Sequence, residues 1–320
     1  MRVVLVVLFV ASSMPASAKP GAVKPKARDE LAELTNDPLL GKGDRIDGTE
    51  HKGVVAFTFD DGPNPDTTPA VIDACELYDI PATFFIVTRR LLGKHGEQPR
   101  ALVARMLKGG FLVASHTVSH PNLRAASTKV MSSEIDNSIK MLAKEAARPI
   151  GLFRPPFGAL DLRGRGWLKK RGLTEVRWSV DTLDWQARNA DKLRKKVFKM
   201  ILAQEGGVVL MHDVKPITAK VIAHVFDDLE AENCARLDAN REPIVPVSLH
   251  YFIRDHKHAR ALPPDIKRRT EAYRAALPKR CAKRPKPVEP PPPPAAGAGT
   301  GSGGDAGSSA GSGSGSGSAS

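Results

Sequence analysis

Three cysteines in 320 residues are too few for a scaffold built on disulfides, and none has the paired spacing of a zinc–thiolate site. Aromatic residues make up only 5% of the chain. No stretch interleaves them with basic residues, which excludes the stacking platforms that single-strand nucleic-acid binders use. Long apolar runs are missing too. Val3 to Val10 falls well short of the roughly 20 residues that cross about 30 Å of hydrocarbon. Acidic residues are the minority charge: 48 Lys and Arg against 35 Asp and Glu give a formal net charge of +13. That balance favours anionic polymers or surfaces through a long-range attraction that salt screens.

The two ends have compositions of their own. Arg2, the apolar run Val3 to Val10 and the small residues Ala16-Ser17-Ala18 form the pattern of a secretory signal, so 1–18 is expected to be removed on export. No cysteine sits at the cleavage site to carry a lipid, and no transmembrane segment is expected after removal. The expected destination is periplasmic, cell-wall associated or extracellular. There an anionic wall polymer is a more natural partner than nucleic acid, and no nucleic-acid partner is expected. At the other end, Pro290 to Pro294 precede an almost pure Gly, Ser and Ala stretch. Such a composition buries too little apolar surface to offset chain entropy, so 286–320 is expected to be a disordered tail. Residues 19–53 are polar and predict a loose N-terminal arm. That leaves 54–285 as one domain large enough for a real core.

Within it, apolar β-branched runs alternate with helical periodicity. Strands are expected at Val54 to Phe59, Thr83 to Val87, Phe111 to Ser115, Leu152-Phe153, Glu175 to Val180, Val208 to Met211 and Val245 to Leu249. Helices are expected at Thr68 to Tyr78, Arg100 to Leu107, Lys129 to Ala146, Leu162 to Lys170, Asp191 to Ala203 and along the stripe Ile217, Val221, Val225, Leu229. The alternation implies a parallel sheet with helices outside. About seven repeats suit a closed or nearly closed (β/α) barrel, with an open doubly wound sheet as the competing arrangement. Cys75 lies at helical spacing with Val71, Ile72 and Tyr78 and reads as a buried thiol. Cys234 and Cys281 are open to a disulfide or to remaining free.

The residues with chemical potential follow the strands. Asp60-Asp61, His116 with His120, Arg154, Asp181 with Asp184, and His212 each come directly after an apolar run. In a parallel α/β barrel those strand ends share one face, where active sites are built. His116 and His120 are four apart, so one helical turn would aim both the same way. With the Asp61 carboxylate they form a two-His, one-Asp set that leaves metal positions open for water and substrate. Asp60 is then free to take a proton from that water. Gly62-Pro63 would turn the chain and hold both carboxylates in the mouth.

Thr58-Phe59-Asp60-Asp61-Gly62-Pro63, followed by the H-[ST]-x-x-H of His116 to His120, resembles the polysaccharide deacetylases of carbohydrate esterase family four, the NodB-homology domain. Three further motifs match in order: Arg154-Pro155-Pro156-Phe157-Gly158, Asp181-Thr182-Leu183-Asp184-Trp185 and Leu210-Met211-His212. The resemblance covers about Val54 to Leu249. It implies a distorted (β/α) barrel and a divalent metal, usually zinc, with Co2+, Ni2+ or Fe2+ as alternatives. By likeness Asp61, His116 and His120 bind the metal, Asp60 is the base and His212 the acid. Arg154 would orient Asp60, Asp184 would pair with His212, and Trp185 and Leu210 would wall the acetyl pocket. Phe157 stands where the family commonly has Tyr; a backbone donor survives that change but the phenolic hydroxyl does not.

The resemblance implies an acetylated polysaccharide as substrate, with N- or O-acetyl groups hydrolysed and peptidoglycan N-acetylglucosamine as the first candidate. Deacylation of a non-glycan amide and non-catalytic wall binding are the rival functions; oligomeric state is not readable. Glu97, His224, His250, His256 and His258 match no motif and read as surface or core.

Overall fold

Strand alternation explains where the chemistry ends up. The computed structural model describes residues 40–41, 44–254 and 262–284. Its strands are β1 Arg45–Ile46, β2 Val54–Asp60, β3 Thr83–Ile86, β4 Leu112–Ser115, β5 Leu152–Phe153, β6 Thr174–Val176, β7 Val180–Asp181, β8 Gly206–His212 and β9 Val245–Pro246. All pair in parallel, in the order β1-β6-β5-β4-β3-β2-β8-β7, and β9 adds to β2 at Val54 and Val55. Along β2, Val55, Phe57 and Phe59 pack outward against the helices, while Val54 and Ala56 belong to a separate inner cluster. Continuing that inner face by twos leads to Thr58 and Asp60. The same count from Leu112 and Ala114 reaches His116, from Leu152 reaches Arg154, and from Val208 reaches Leu210 and His212.

The sheet curls into a distorted barrel. Strands β6 and β7 lie near opposite ends of the strand order, yet only Arg177 to Ser179 separate them in sequence. The two margins must therefore meet. Ser179 N–H donates to Val208 O at 3.1 Å, and its hydroxyl donates to Gly48 O at 2.8 Å, stitching the seam. The expected strand Glu175 to Val180 is accordingly two strands, because the chain changes partners there from β5 to β8. Gly206 (φ +121°) permits β8 to lie against β2: a Cβ there would sit 2.0 Å from Val54 O.

The helices Thr68–Leu77, Glu97–Lys108, Leu162–Lys170, Ala190–Gln204 and Pro216–Asp238 follow the expected positions. The expected helix Lys129 to Ala146 is interrupted: Thr128–Met131 and Asn137–Ala146 flank a π turn at Ser132–Asp136. A helix over Pro264–Lys283, which the periodicity did not suggest, packs Tyr273 and Leu277 into the inner cluster. Cys281 on this helix is bonded to Cys234, 47 residues earlier. By the chain-entropy account, closing a loop of that length contributes about 4 kcal/mol. Cys75 is buried as a free thiol.

One boundary differs from the sequence reading. Arg45–Ile46, assigned to the polar arm 19–53, pair with Glu175 and Val176, and Ile46 is fully buried. Two residues are too short a run to register as a strand by periodicity. The signal 1–18 and the tail 286–320 lie outside the described residues. No helix among the described residues is long and apolar enough to cross a membrane.

Candidate active site

At the C-terminal ends of the strands a pocket of about 370 Å3 is lined by Asp60, Asp61, His116, His120, Phe157, Trp185, Leu210 and His212, together with Pro155, Trp178, Asp181, Leu183 and Lys215. Eight of the ten site residues expected from sequence therefore meet in one cavity. The other two, Arg154 and Asp184, stand behind it, both essentially inaccessible to solvent.

One ligand atom each from Asp61, His116 and His120 lie within 4.8 Å of one another. Asp61 Oδ1 is 3.6 Å from His116 Nε2 and 3.2 Å from His120 Nε2. It is buried and accepts no hydrogen bond, an orphan that a divalent cation between the three side chains would satisfy. His116 Nδ1 is 2.7 Å from Arg154 O, which directs Nε2 toward the cluster, as a ligating imidazole requires. Burial, opposed by the Asp61 charge and helped by those of His120 and Arg154, lowers the His116 pKa to about 3, so the ring is neutral. The residues present fit a metal.

The histidine pair is not brought together by a helical turn. Residues 116–120 form an irregular loop, with Thr117 (φ +72°) and His120 (φ +66°) in left-handed backbone. Its shape is imposed from outside. The Glu134 carboxylate accepts from Val118 N–H at 3.1 Å, Ser119 N–H at 2.8 Å and Ser119 Oγ–H at 2.7 Å. Glu134 O also accepts from Val118 N–H. This glutamate sits in the π turn, a geometry often found beside functional sites.

Asp60 is held from behind. Arg154 Nη1 donates to Asp60 Oδ1 at 2.7 Å and to Thr58 Oγ1 at 2.7 Å, while Nε and Nη2 donate to Val176 O and Arg177 O. Burial raises the Asp60 pKa, opposed by the charges of Arg154 and His212. Across the pocket, His212 Nδ1 donates to Asp184 Oδ1 at 2.6 Å. Asp184 Oδ2 accepts from His212 N–H at 2.7 Å and from Thr218 Oγ1 at 2.5 Å. Burial pulls the His212 pKa down, but the Asp184 hydrogen bond and charge, with Asp60 and Asp61, outweigh it and raise the pKa to about 9. The ring is therefore cationic at neutrality, with Nε2 as its remaining donor.

Sequence reasoning missed Trp178, Lys215, Glu134 and Asp213. Asp213 is fully buried; Thr68 Oγ1 donates to its Oδ2, and both its oxygens would lie within 2.4 Å of a Cβ at Gly62. It therefore packs on the turn that carries Asp61. The only sequence signal for it was adjacency to His212. Of the residues left outside the motifs, His224 is exposed and His250 is buried against Ser248, while His256 and His258 lie outside the described residues.

A family model described as polysaccharide deacetylase matches residues 47–176. The chain is 31% identical over 179 residues to a chitooligosaccharide deacetylase of Azorhizobium caulinodans, covering 56% of this chain and 81% of that protein. The chain belongs to the polysaccharide deacetylase family. It is also 34% identical over 224 residues to the peptidoglycan-N-acetylglucosamine deacetylase PgdA of Listeria monocytogenes, covering 67% of this chain and 45% of PgdA. The chain thus spans less than half the length of that relative. Among solved members, a peptidoglycan N-acetylglucosamine deacetylase bound to 4-naphthalen-1-yl-N-oxidanyl-benzamide superposes with TM-score 0.55 at 25% identity, covering 66% of this chain and 92% of that one. The peptidoglycan deacetylase PdaC of Bacillus subtilis superposes with TM-score 0.50 at 25% identity, covering 71% and 97%. Both agree with the curled parallel barrel.

Proposed function

We propose that the protein is an exported, metal-dependent deacetylase that hydrolyses acetyl groups on a cell-wall polysaccharide. What carries the reading is one pocket in which a two-His, one-Asp cluster lies between a buried carboxylate and a carboxylate-paired histidine. Export is supported by the leader-like 1–18 and by a disulfide suited to an oxidising compartment.

A divalent cation held by Asp61, His116 and His120, zinc by preference, would supply Lewis-acid activation of water and polarisation of the acetyl carbonyl. The remaining work falls to the chain. Arg154 occupies Asp60 Oδ1, which leaves Oδ2 to take the proton of the attacking water. The backbone N–H of Phe157 has no partner among the described residues and can donate to the developing oxyanion. His212 Nε2 gives its proton to the leaving nitrogen or oxygen as the bond to the acetyl carbon breaks, and acetate departs. Leu210 and the half-exposed Trp185 supply apolar walls for the methyl group.

Acetate release from peptidoglycan, chitooligosaccharides and acetylxylan tests this directly. Release from at least one polymer should vanish with chelator and return with added zinc. Silence on all three with metal bound would overturn the reading.

The acid role has its own signature. His212 carries its proton below about pH 9 and loses it above, so turnover should fall on the alkaline side. Removing the carboxylate that stabilises the imidazolium lowers its pKa. Asp184→Asn should therefore move the alkaline limb of the kcat profile toward the ordinary histidine value of about 6.5. A limb that stays in place would dissociate Asp184 from the acid.

A further inference from the structure

Two clefts flank the catalytic pocket, and they differ in charge. On the β3 side, a cleft of about 650 Å3 mixes signs, lined by Arg89, Arg90 and Lys94 together with Asp66 and Glu97, and it shares no lining residue with the catalytic pocket. On the β8 side, a cleft of about 460 Å3 is lined by Arg188, Lys215 and Lys220, and it shares Trp185 and Lys215 with the catalytic pocket. The one carboxylate in that second cleft, Asp184, is almost wholly buried and already engaged by His212 and Thr218. None of the three cations forms an ion pair among the described residues. The helix Pro216–Asp238 also begins at this cleft, with no acidic residue in its first turn to offset the positive end of its dipole. Between the two cavities stands Trp185, 54% exposed, offering a flat face to a sugar ring.

We propose that the β8-side cleft is a subsite for a carboxylate-bearing sugar next to the residue being deacetylated. This rests on the deacetylase reading and sharpens it: the preferred polymer carries acidic groups, as peptidoglycan strands do and chitooligosaccharides do not. Trp185 supports the ring, and Lys215, Lys220 and Arg188 receive the carboxylate. Because cations without a free carboxylate beside them line the cleft on one side of the pocket only, the acidic neighbour has a defined position along the strand.

The test compares soluble peptidoglycan glycan strands freed of their stem peptides, so that each muramic acid bears a free lactyl carboxylate, with the same strands after those carboxylates are converted to amides. The zinc-loaded wild-type protein should show a KM about three- to tenfold lower for the charged strands, the size expected of two or three solvent-accessible charge contacts. Raising salt from roughly 0.05 to 0.5 M should erode that preference. In Arg188→Gln/Lys220→Gln, both exposed positions, the preference should collapse to within about twofold. Equal KM values for the two strands in the wild type, or a preference that survives the double substitution, would overturn the subsite. If the wild type released acetate from neither strand, the catalytic reading would fail by itself. The subsite would then be judged by equilibrium binding of the same strands carrying a fluorophore, with the same charge preference expected and its absence decisive against it.

Discussion

Asp60→Asn should lower kcat about 10²- to 10⁴-fold, the usual loss when a positioned general base is removed. Asparagine keeps the shape and an oxygen that can accept from Arg154, so the pocket should stay open and substrate binding should change little. What disappears is the proton acceptor 3.7 Å from His116 Nε2. The substitution also leaves Arg154 fully buried without its counter-ion. Uncompensated buried charges of this kind cost about 3–5 kcal/mol. The Arg154 bonds to Thr58 Oγ1, Val176 O and Arg177 O should keep the cost toward the lower end. Steady-state kinetics and a denaturant melt on the same preparation separate the two effects. A variant that is destabilised yet fully active would remove Asp60 from the chemistry and leave it a structural partner of Arg154.

His116→Ala should weaken zinc binding by more than about 100-fold, beyond the 10- to 100-fold typical of losing an outer-shell partner, and activity should be lost with it. The substitution leaves Asp61 and His120, the latter on a loop whose shape depends on Glu134. Titration calorimetry with zinc, set beside acetate release at saturating zinc, reads both quantities. His224→Ala is the control: an exposed histidine outside every motif, expected to change neither. Undiminished zinc affinity in His116→Ala would overturn the assignment of the cluster.

Much of the site could be read before the fold was known, because the relevant rule is local. An apolar strand buries one face inward every second residue, so the polar residue that ends such a face is delivered to the barrel mouth. Asp60, His116, Arg154 and His212 all obey it. The helical explanation for His116 and His120 failed for the complementary reason. Spacing of four reports a shared face only if the segment is helical, and here the backbone is bent by a glutamate 14 residues beyond His120.

The amino-acid sequence by itself determined the alternation of strands and helices, the residues placed at the strand ends, and the family to which the chain belongs. Each depends on neighbours within a few positions. Only the tertiary structure decided where the barrel closes, at Arg177 to Ser179, and that Arg45–Ile46 joins it. The pairing of Cys234 with Cys281 and the packing of Asp213 on the Gly62 turn were decided at the same level. So was the joining of Arg188, Lys215 and Lys220 in one cleft beside Trp185. These depend on the curl of a sheet that brings residues from distant parts of the chain into contact, and no short-range pattern encodes that curl.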